Sequence, residues 1–170
     1  MRDTTPILMW FRRDLRLSDH AALTAACNTG RPVIPVFVHD AVSMGLGAAP
    51  KWRLGLGVGC LADALADKGS RLILRQSRDA QAALDALIDE TGAGAVFWSR
   101  LYDPDSVARD TAIKNTLKER GIDARSFGGH LMFEPWSVET QQGDYYKVYT
   151  PFWNNVKTRD VKAHCAPVAP

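Results

Sequence analysis

Apolar and polar positions fall in alternating blocks along the chain. Five short runs read as strands: Ile7–Phe11, Val33–His39, Leu72–Arg75, Ala95–Ser99 and Ala124–Phe127. The first, second and fourth are almost wholly aliphatic or aromatic, as in strands covered on both faces. The stretches between them carry helical spacing, and each stops at a glycine: Gly30, Gly69, Gly92 or Gly121. Glycine takes up the left-handed conformation that closes many helices, and Lys68 and Arg120 suit the negative end of a helix dipole. Helix starts are marked by Ser18, by Pro50, by Ser77 or Asp79, and by Asp103-Pro104. In the clearest helix, Ala80, Ala83, Leu84, Leu87 and Ile88 form one apolar stripe. Five strands alternating with four helices predict right-handed crossovers. The expected fold is α/β and Rossmann-like, a doubly wound five-stranded parallel sheet in the order 3-2-1-4-5.

Beyond Phe127 this rhythm ends. Gly128-Gly129, Pro135-Trp136 and the run from Gln141 to Asp144 read as loops or a short hairpin, and the stretch from Ala163 to Pro170 is rich in alanine and proline. Residues 1–130 are therefore expected to form the α/β domain, and residues 131–170 an interdomain segment and linker. The 170 residues suit one domain with a sizeable core, and 46% hydrophobic with 24% charged residues is ordinary for a soluble protein. A net charge of +2 is too small to imply nucleic-acid binding by field alone. Cys27, Cys60 and Cys165 show no metal-ligand spacing, so no metal site is expected and a reducing cytoplasm fits best. No apolar segment approaches the roughly 18 residues of a membrane span, so no membrane association is expected.

The densest chemistry lies at the end of the first strand, in Phe11-Arg12-Arg13-Asp14-Leu15-Arg16-Leu17-Ser18-Asp19. Ligands of open α/β sheets bind at the carboxyl ends of strands, where the winding reverses. The same charges also suit a solvated, salt-bridged loop. Trp98-Ser99-Arg100-Leu101-Tyr102-Asp103-Pro104 ends the fourth strand and faces that run across the expected crevice. Asp103 reads as a helix N-cap, and its second oxygen remains available for a ligand. Gly55-Leu56-Gly57-Val58-Gly59-Cys60 is not a dinucleotide fingerprint, because no strand precedes it and cysteine stands where the third glycine belongs. Leu54, Val58, Leu61 and Leu65 keep helical spacing through those glycines. His20 reads as a helix-start residue, His39 as a strand-end residue and His130 as a loop residue. No nucleophile stands with a base, so no catalytic residue is expected within this chain. Tyr145 to Trp153 interleaves aromatics with Lys147, which suits packing against a neighbouring domain or stacking on single-stranded bases.

The signature FRRDLRLSD, the helix start APKWRL, the strand end FWSRLYDP with Arg109-Asp110 beyond it, and YYKVYTPFW occur in that order. Together they resemble the amino-terminal domain of the DNA photolyase and cryptochrome family, in particular bacterial enzymes that repair cyclobutane pyrimidine dimers. The resemblance implies a light-harvesting domain holding or bordering an antenna chromophore. It also implies a larger helical domain, outside these residues, that binds FAD and DNA containing the dimer, in an enzyme that is monomeric when full-length. Alternatives are the same domain of a cryptochrome-type blue-light receptor, or a stand-alone nucleotide-binding α/β domain. Folate-using members have Tyr-Glu at the end of the fourth strand, where the carboxylate binds the pterin; Tyr102-Asp103 stands there, one methylene shorter. Deazaflavin-using members have an aspartate where this chain has Leu101, but their second signature arginine and a strand-two phenylalanine match Arg13 and Phe37. Methenyltetrahydrofolate is therefore expected ahead of a flavin or deazaflavin. The resemblance makes Asp103, Tyr102, Arg13, Phe37, Lys51 and Trp52 the cofactor-binding set. It places Arg12, Asp14, Tyr149, Pro151 and Phe152 at the interdomain surface.

Overall fold

The computed structural model describes residues 4–166. Strands β1 (Ile7–Phe11), β2 (Val33–His39), β3 (Ile73–Gln76), β4 (Ala95–Ser99) and β5 (Asp123–Phe127) form one sheet in the order β3-β2-β1-β4-β5. Every neighbouring pair is parallel. The expected order and direction are both present. The third strand starts one residue later than its apolar run suggests, because Leu72 is spent in the core just before the ladder begins. The fifth starts one residue earlier, where Asp123 pairs with Ala95 and donates its N–H to the Gly94 carbonyl.

Helices α1 (Ala21–Cys27), α2 (Ala41–Met44), α3 (Ala48–Ala66), α4 (Ala80–Thr91) and α5 (Pro104–Glu119) make the crossovers. β1 is buried on both faces and sorts its side chains by the strand period of two. Leu8 and Trp10 join Leu84, Leu87, Ile113 and Leu117 of α4 and α5. Ile7, Met9 and Phe11 join Leu23, Leu61 and Leu65 of α1 and α3. Burying each such large side chain contributes about 1.5–3 kcal/mol, so two full layers hold the central strand in place. All five stripe residues expected of the clearest helix are buried in α4.

The helix ends follow local chemistry. Gly92 closes α4 at φ +66, and Gly30, Gly69 and Gly121 also have positive φ. Asp79 caps α4 through Gln81 N at 2.9 Å, and Asp103 caps α5 through Ser106 N at 3.0 Å. Two starts differ from expectation. His20, rather than Ser18, caps α1, its Nδ1 accepting from Leu23 N at 3.2 Å. Helix α3 begins at Ala48, two residues before Pro50, which sits in the first turn where a missing N–H is harmless. The glycines of α3 separate into two kinds. A Cβ on Gly57 would come within 2.9 Å of Leu15 Cδ1, so that glycine lets the helix approach the loop after β1, whereas Gly55 and Gly59 face open space.

Among the described residues, the segment after β5 forms no hairpin. It contains a single 3-10 turn at Pro135–Ser137 and a short helix, α6 (Tyr149–Val156), which the loop-breaking residues around it concealed. Tyr149, Pro151 and Phe152 lie exposed on α6. The linker expected at the end of the chain extends into residues 167–170, outside the described residues. No helix among the described residues is long and apolar enough to cross a membrane.

Candidate functional site

The loop after β1 divides its charges between the interior and the surface. Arg12 is 7% exposed, and its Nη1 donates to Asp110 Oδ1 at 2.8 Å and Oδ2 at 2.6 Å, while Nη2 donates to the Ser99 carbonyl. Arg109, one residue before Asp110 on α5, donates to Asp110 at 2.9 Å and to Asp40 at 2.5 Å. Asp40 in turn caps α2 through Ser43 N at 3.0 Å. Two arginines and two aspartates thus form a closed, neutral quartet joining the ends of β1, β2 and β4 to α5. The guanidinium groups of Arg12 and Arg109 lie 4.6 and 5.2 Å from the centre of the buried Trp10 ring. Burial lowers the Arg12 pKa below its ordinary value, and Asp110 partly offsets that shift.

Asp14 is 2% exposed, with Oδ2 2.8 Å from His20 Nε2 and Oδ1 accepting from the Arg12 amide at 2.9 Å. Because His20 Nδ1 accepts from a backbone N–H, Nε2 is the nitrogen that faces Asp14 with a proton. Burial alone would raise the Asp14 carboxyl. Contacts with His20, Ser99 and the Arg12 amide outweigh burial and hold it well below the usual carboxylate range. Arg12 and Asp14, expected at an interdomain surface, are instead internal: they fix the shape of the loop from beneath.

Above the quartet lies a cavity of about 650 Å³ at the carboxyl ends of β1 and β2, closed on the β4 side by Leu101 and so bordering the β1/β4 boundary where the winding reverses. Phe37, Leu15, Leu46, Leu54 and Leu101 supply apolar walls, and Arg13, Arg16 and Arg53 supply cations. Gly57 and Cys60 place α3 against the opening. Of the six expected cofactor residues, Arg13 and Phe37 line this cavity. Lys51 and Trp52 project into solvent from the first turns of α3, beside the lining residues Pro50, Arg53 and Leu54. Asp103 stands at the edge, its cap bond leaving Oδ2 3.7 Å from Arg13 Nη2. Burial would raise the Asp103 carboxyl, but its bonds with Ser106 and the charge of Arg13 lower it on balance.

Tyr102 faces elsewhere. Its hydroxyl donates to Glu134 Oε2 at 2.9 Å, and Arg100 donates to Glu134 Oε1 at 2.7 Å and to the Ser126 carbonyl at 3.0 Å. Burial and the bond to Glu134 push the Tyr102 pKa up to about 12. This cluster ties the segment after β5 back onto the sheet, so Tyr102 is occupied as a structural donor. Glu134 and Arg100 also border a second cavity of about 590 Å³, which includes His130, Gly129 and Lys162. Among the described residues, no group of three or more His, Cys, Asp or Glu could hold a metal ion.

Sequence reasoning gave no role to Arg109, Asp110, Asp40, Glu134 or Arg53. Asp40 carried a local signal, an acidic residue directly before a short helix. The others act through contacts 32 to 98 residues away in sequence, or through the shape of the cavity, so even where the landmarks APKWRL and Arg109-Asp110 contained them, no role could be read locally.

A doubly wound, open parallel sheet with an apolar, cation-rimmed cavity at its carboxyl edge places the chain among the Rossmann-like α/β domains. The DNA photolyase family model matches residues 7–169, and the chain belongs to that family. It is 45% identical over 157 residues to a deoxyribodipyrimidine photo-lyase of Agrobacterium fabrum, covering 92% of this chain and 33% of the relative. It is 38% identical over 149 residues to cryptochrome-1 of Arabidopsis thaliana, covering 86% of this chain and 22% of that protein. The crystal structure of a bacterial class III photolyase from Agrobacterium tumefaciens superposes with a TM-score of 0.91 at 43% identity, covering 99% of this chain and 36% of that one. The chain thus spans about a third or less of the length of these relatives.

Proposed function

We propose that this chain is the amino-terminal, light-harvesting part of a deoxyribodipyrimidine photolyase, which repairs cyclobutane pyrimidine dimers in DNA under light. The cavity beside the FRRDLR loop carries the reading. Its volume and apolar walls suit a conjugated ring system, and its arginines suit a ligand with negative charge. The higher identity to a bacterial photolyase than to a plant cryptochrome favours repair over signalling.

Methenyltetrahydrofolate is the proposed chromophore, ahead of a flavin. A deazaflavin is disfavoured because Leu101 contributes an apolar wall where its users carry a carboxylate. Once bound, the chromophore supplies absorbed light energy to reduced FAD, held by a helical domain outside these residues. Phe37 and Leu54 would pack on the ring, and Arg13 would face its polar edge. Asp103 would orient the ligand from beside Arg13, with Lys51 and Trp52 flanking the entrance. Tyr149, Pro151 and Phe152 would dock the helical domain. The enzyme would act as a soluble cytoplasmic monomer on damaged DNA.

The test places this chain in its complete reading frame, with dimer-containing DNA, in light and in darkness. Dimers should disappear only in light, with an action spectrum that includes the folate band. Asp103→Asn should lower the bound folate about tenfold or more, the effect of losing one charged hydrogen bond, while keeping the helix cap. Repair in darkness, or none under any light, would refute the proposal. Full folate content in Asp103→Asn would leave that residue as a cap alone.

A further inference from the structure

The charges lining the cavity do not cancel, and the excess sits at its mouth. Five arginines line it (Arg12, Arg13, Arg16, Arg53 and Arg109), against Asp40 as the one acidic lining residue among those described. Arg12 and Arg109 are matched in full by Asp110 and Asp40. Arg13 has only Asp103, at 3.7 Å and partly exposed. Arg16 donates to the carbonyls of Asp19 and Gly129, which position its guanidinium without neutralising it. Arg53, on the second turn of α3, has no hydrogen-bond or ion-pair partner among the described residues. Two cations thus remain unmatched beside an apolar slot.

We infer that Arg53, with Arg16, clamps an anionic tail of the cavity's ligand, so that the site selects chromophores by tail charge as well as by ring. This rests on the reading of the cavity as a chromophore site. The anion can be the glutamate carboxylates of a pterin or the phosphate of a flavin nucleotide, and both meet a guanidinium with paired donors. Arg13 is the weaker candidate, because Asp103 already competes for it. Leu54, next to Arg53, lines the same wall, so a ring packed there holds its tail within reach of the mouth.

The lining residues described above all lie within this chain, so the chain itself can be titrated. The probes are two matched pairs, FMN with riboflavin and pteroylglutamate with pteroate, followed by ligand fluorescence. In each pair that binds, the member with more negative charge should bind about tenfold or more tightly. The preference should shrink in 0.5 M salt, disappear in Arg53→Gln and return in part in Arg53→Lys. A preference in the flavin pair alone would identify a phosphate site, and one in the pterin pair alone a carboxylate site; either supports the clamp. Equal binding within both pairs, or a preference that persists in Arg53→Gln, would overturn the clamp while leaving the chromophore cavity standing. Binding of none of the four would overturn both. Arg53 is exposed, so an unchanged unfolding midpoint confirms that the variant has lost a contact and not its fold.

Discussion

Arg12 and Arg13 are neighbours in sequence and opposites in environment. Arg12 is fixed by both oxygens of Asp110 and by the Ser99 carbonyl, beneath the cavity and against Trp10. Arg13 leaves half its side chain in solvent, with one acidic neighbour at 3.7 Å. The same division separates Arg109, locked between Asp40 and Asp110, from Arg53 at the mouth. The floor of the site is a neutral buried network, whereas its rim is a set of exposed cations. Charge in the floor is used to hold three strand ends and a helix in register. Charge in the rim stays largely in solvent, which suits the proposed ligand role. A floor arginine should therefore be costly to disturb and a rim arginine cheap, and the variants below can break that contrast.

The largest effect is expected in the floor. Asp110→Ala strands a buried guanidinium and should destabilise the protein by about 3 kcal/mol, lowering Tm by about 6–12 °C. Replacing Arg12 and Asp110 together with Met and Leu should cost clearly less, because no unpaired charge remains. A thermal melt of each variant decides this, and a mild Asp110→Ala would show that the quartet is not a unit.

Asp14→Asn comes next, at about 2 kcal/mol, the cost of weakening a buried charged hydrogen bond. Its signature is the pH dependence. The folded carboxyl is held below its ordinary value of 3.8, so its contribution is full above that pH and is lost as the pH falls further towards the depressed folded value. Urea midpoints measured downward from pH 6 should show wild type and variant converging below about pH 4. A gap that stays constant with pH would contradict the role of the Asp14 charge.

At the boundary between floor and rim, Asp103→Ala should cost about 1 kcal/mol for the lost cap, and Asp103→Asn only a few tenths. Arg53→Gln and Arg13→Gln should fall within about 0.5 kcal/mol of wild type, as exposed substitutions do. A large stability loss in either rim variant would erase the distinction between the two regions.

The sheet was legible because its cues are local. Apolar runs with a strand period, helices ending at Gly30, Gly69, Gly92 and Gly121, and caps at Asp79 and Asp103 required no knowledge of distant partners. Parallel order then followed from short crossovers. Half the candidate site was harder to place. Phe37 and Arg13 reached the cavity, but Tyr102 turned to Glu134, 32 residues on, and Arg12 turned inward to Asp110, 98 residues on. The run FRRDLR shows charge but not which side chain finds a counter-ion, since that depends on α5 lying over β1. Helix α6 was hidden for a different reason. Tyr149, Phe152, Trp153 and Val156 do fall at helical spacing, but the helix has only eight residues and follows directly on Tyr145 and Tyr146, so the stripe merged into an aromatic run; of the four only Val156 is buried.

The most direct test of the central claim, that the cavity above the arginine quartet seats the antenna, is a titration of methenyltetrahydrofolate into this chain. It is followed by the circular dichroism that the chromophore acquires on binding. Wild type should give a saturable one-to-one signal. Val42→Trp, which fills the cavity from a partly exposed wall, should abolish it, and Tyr149→Ala on α6 should leave it unchanged. A signal that survives Val42→Trp, or that vanishes with Tyr149→Ala, would place the chromophore elsewhere and contradict the account.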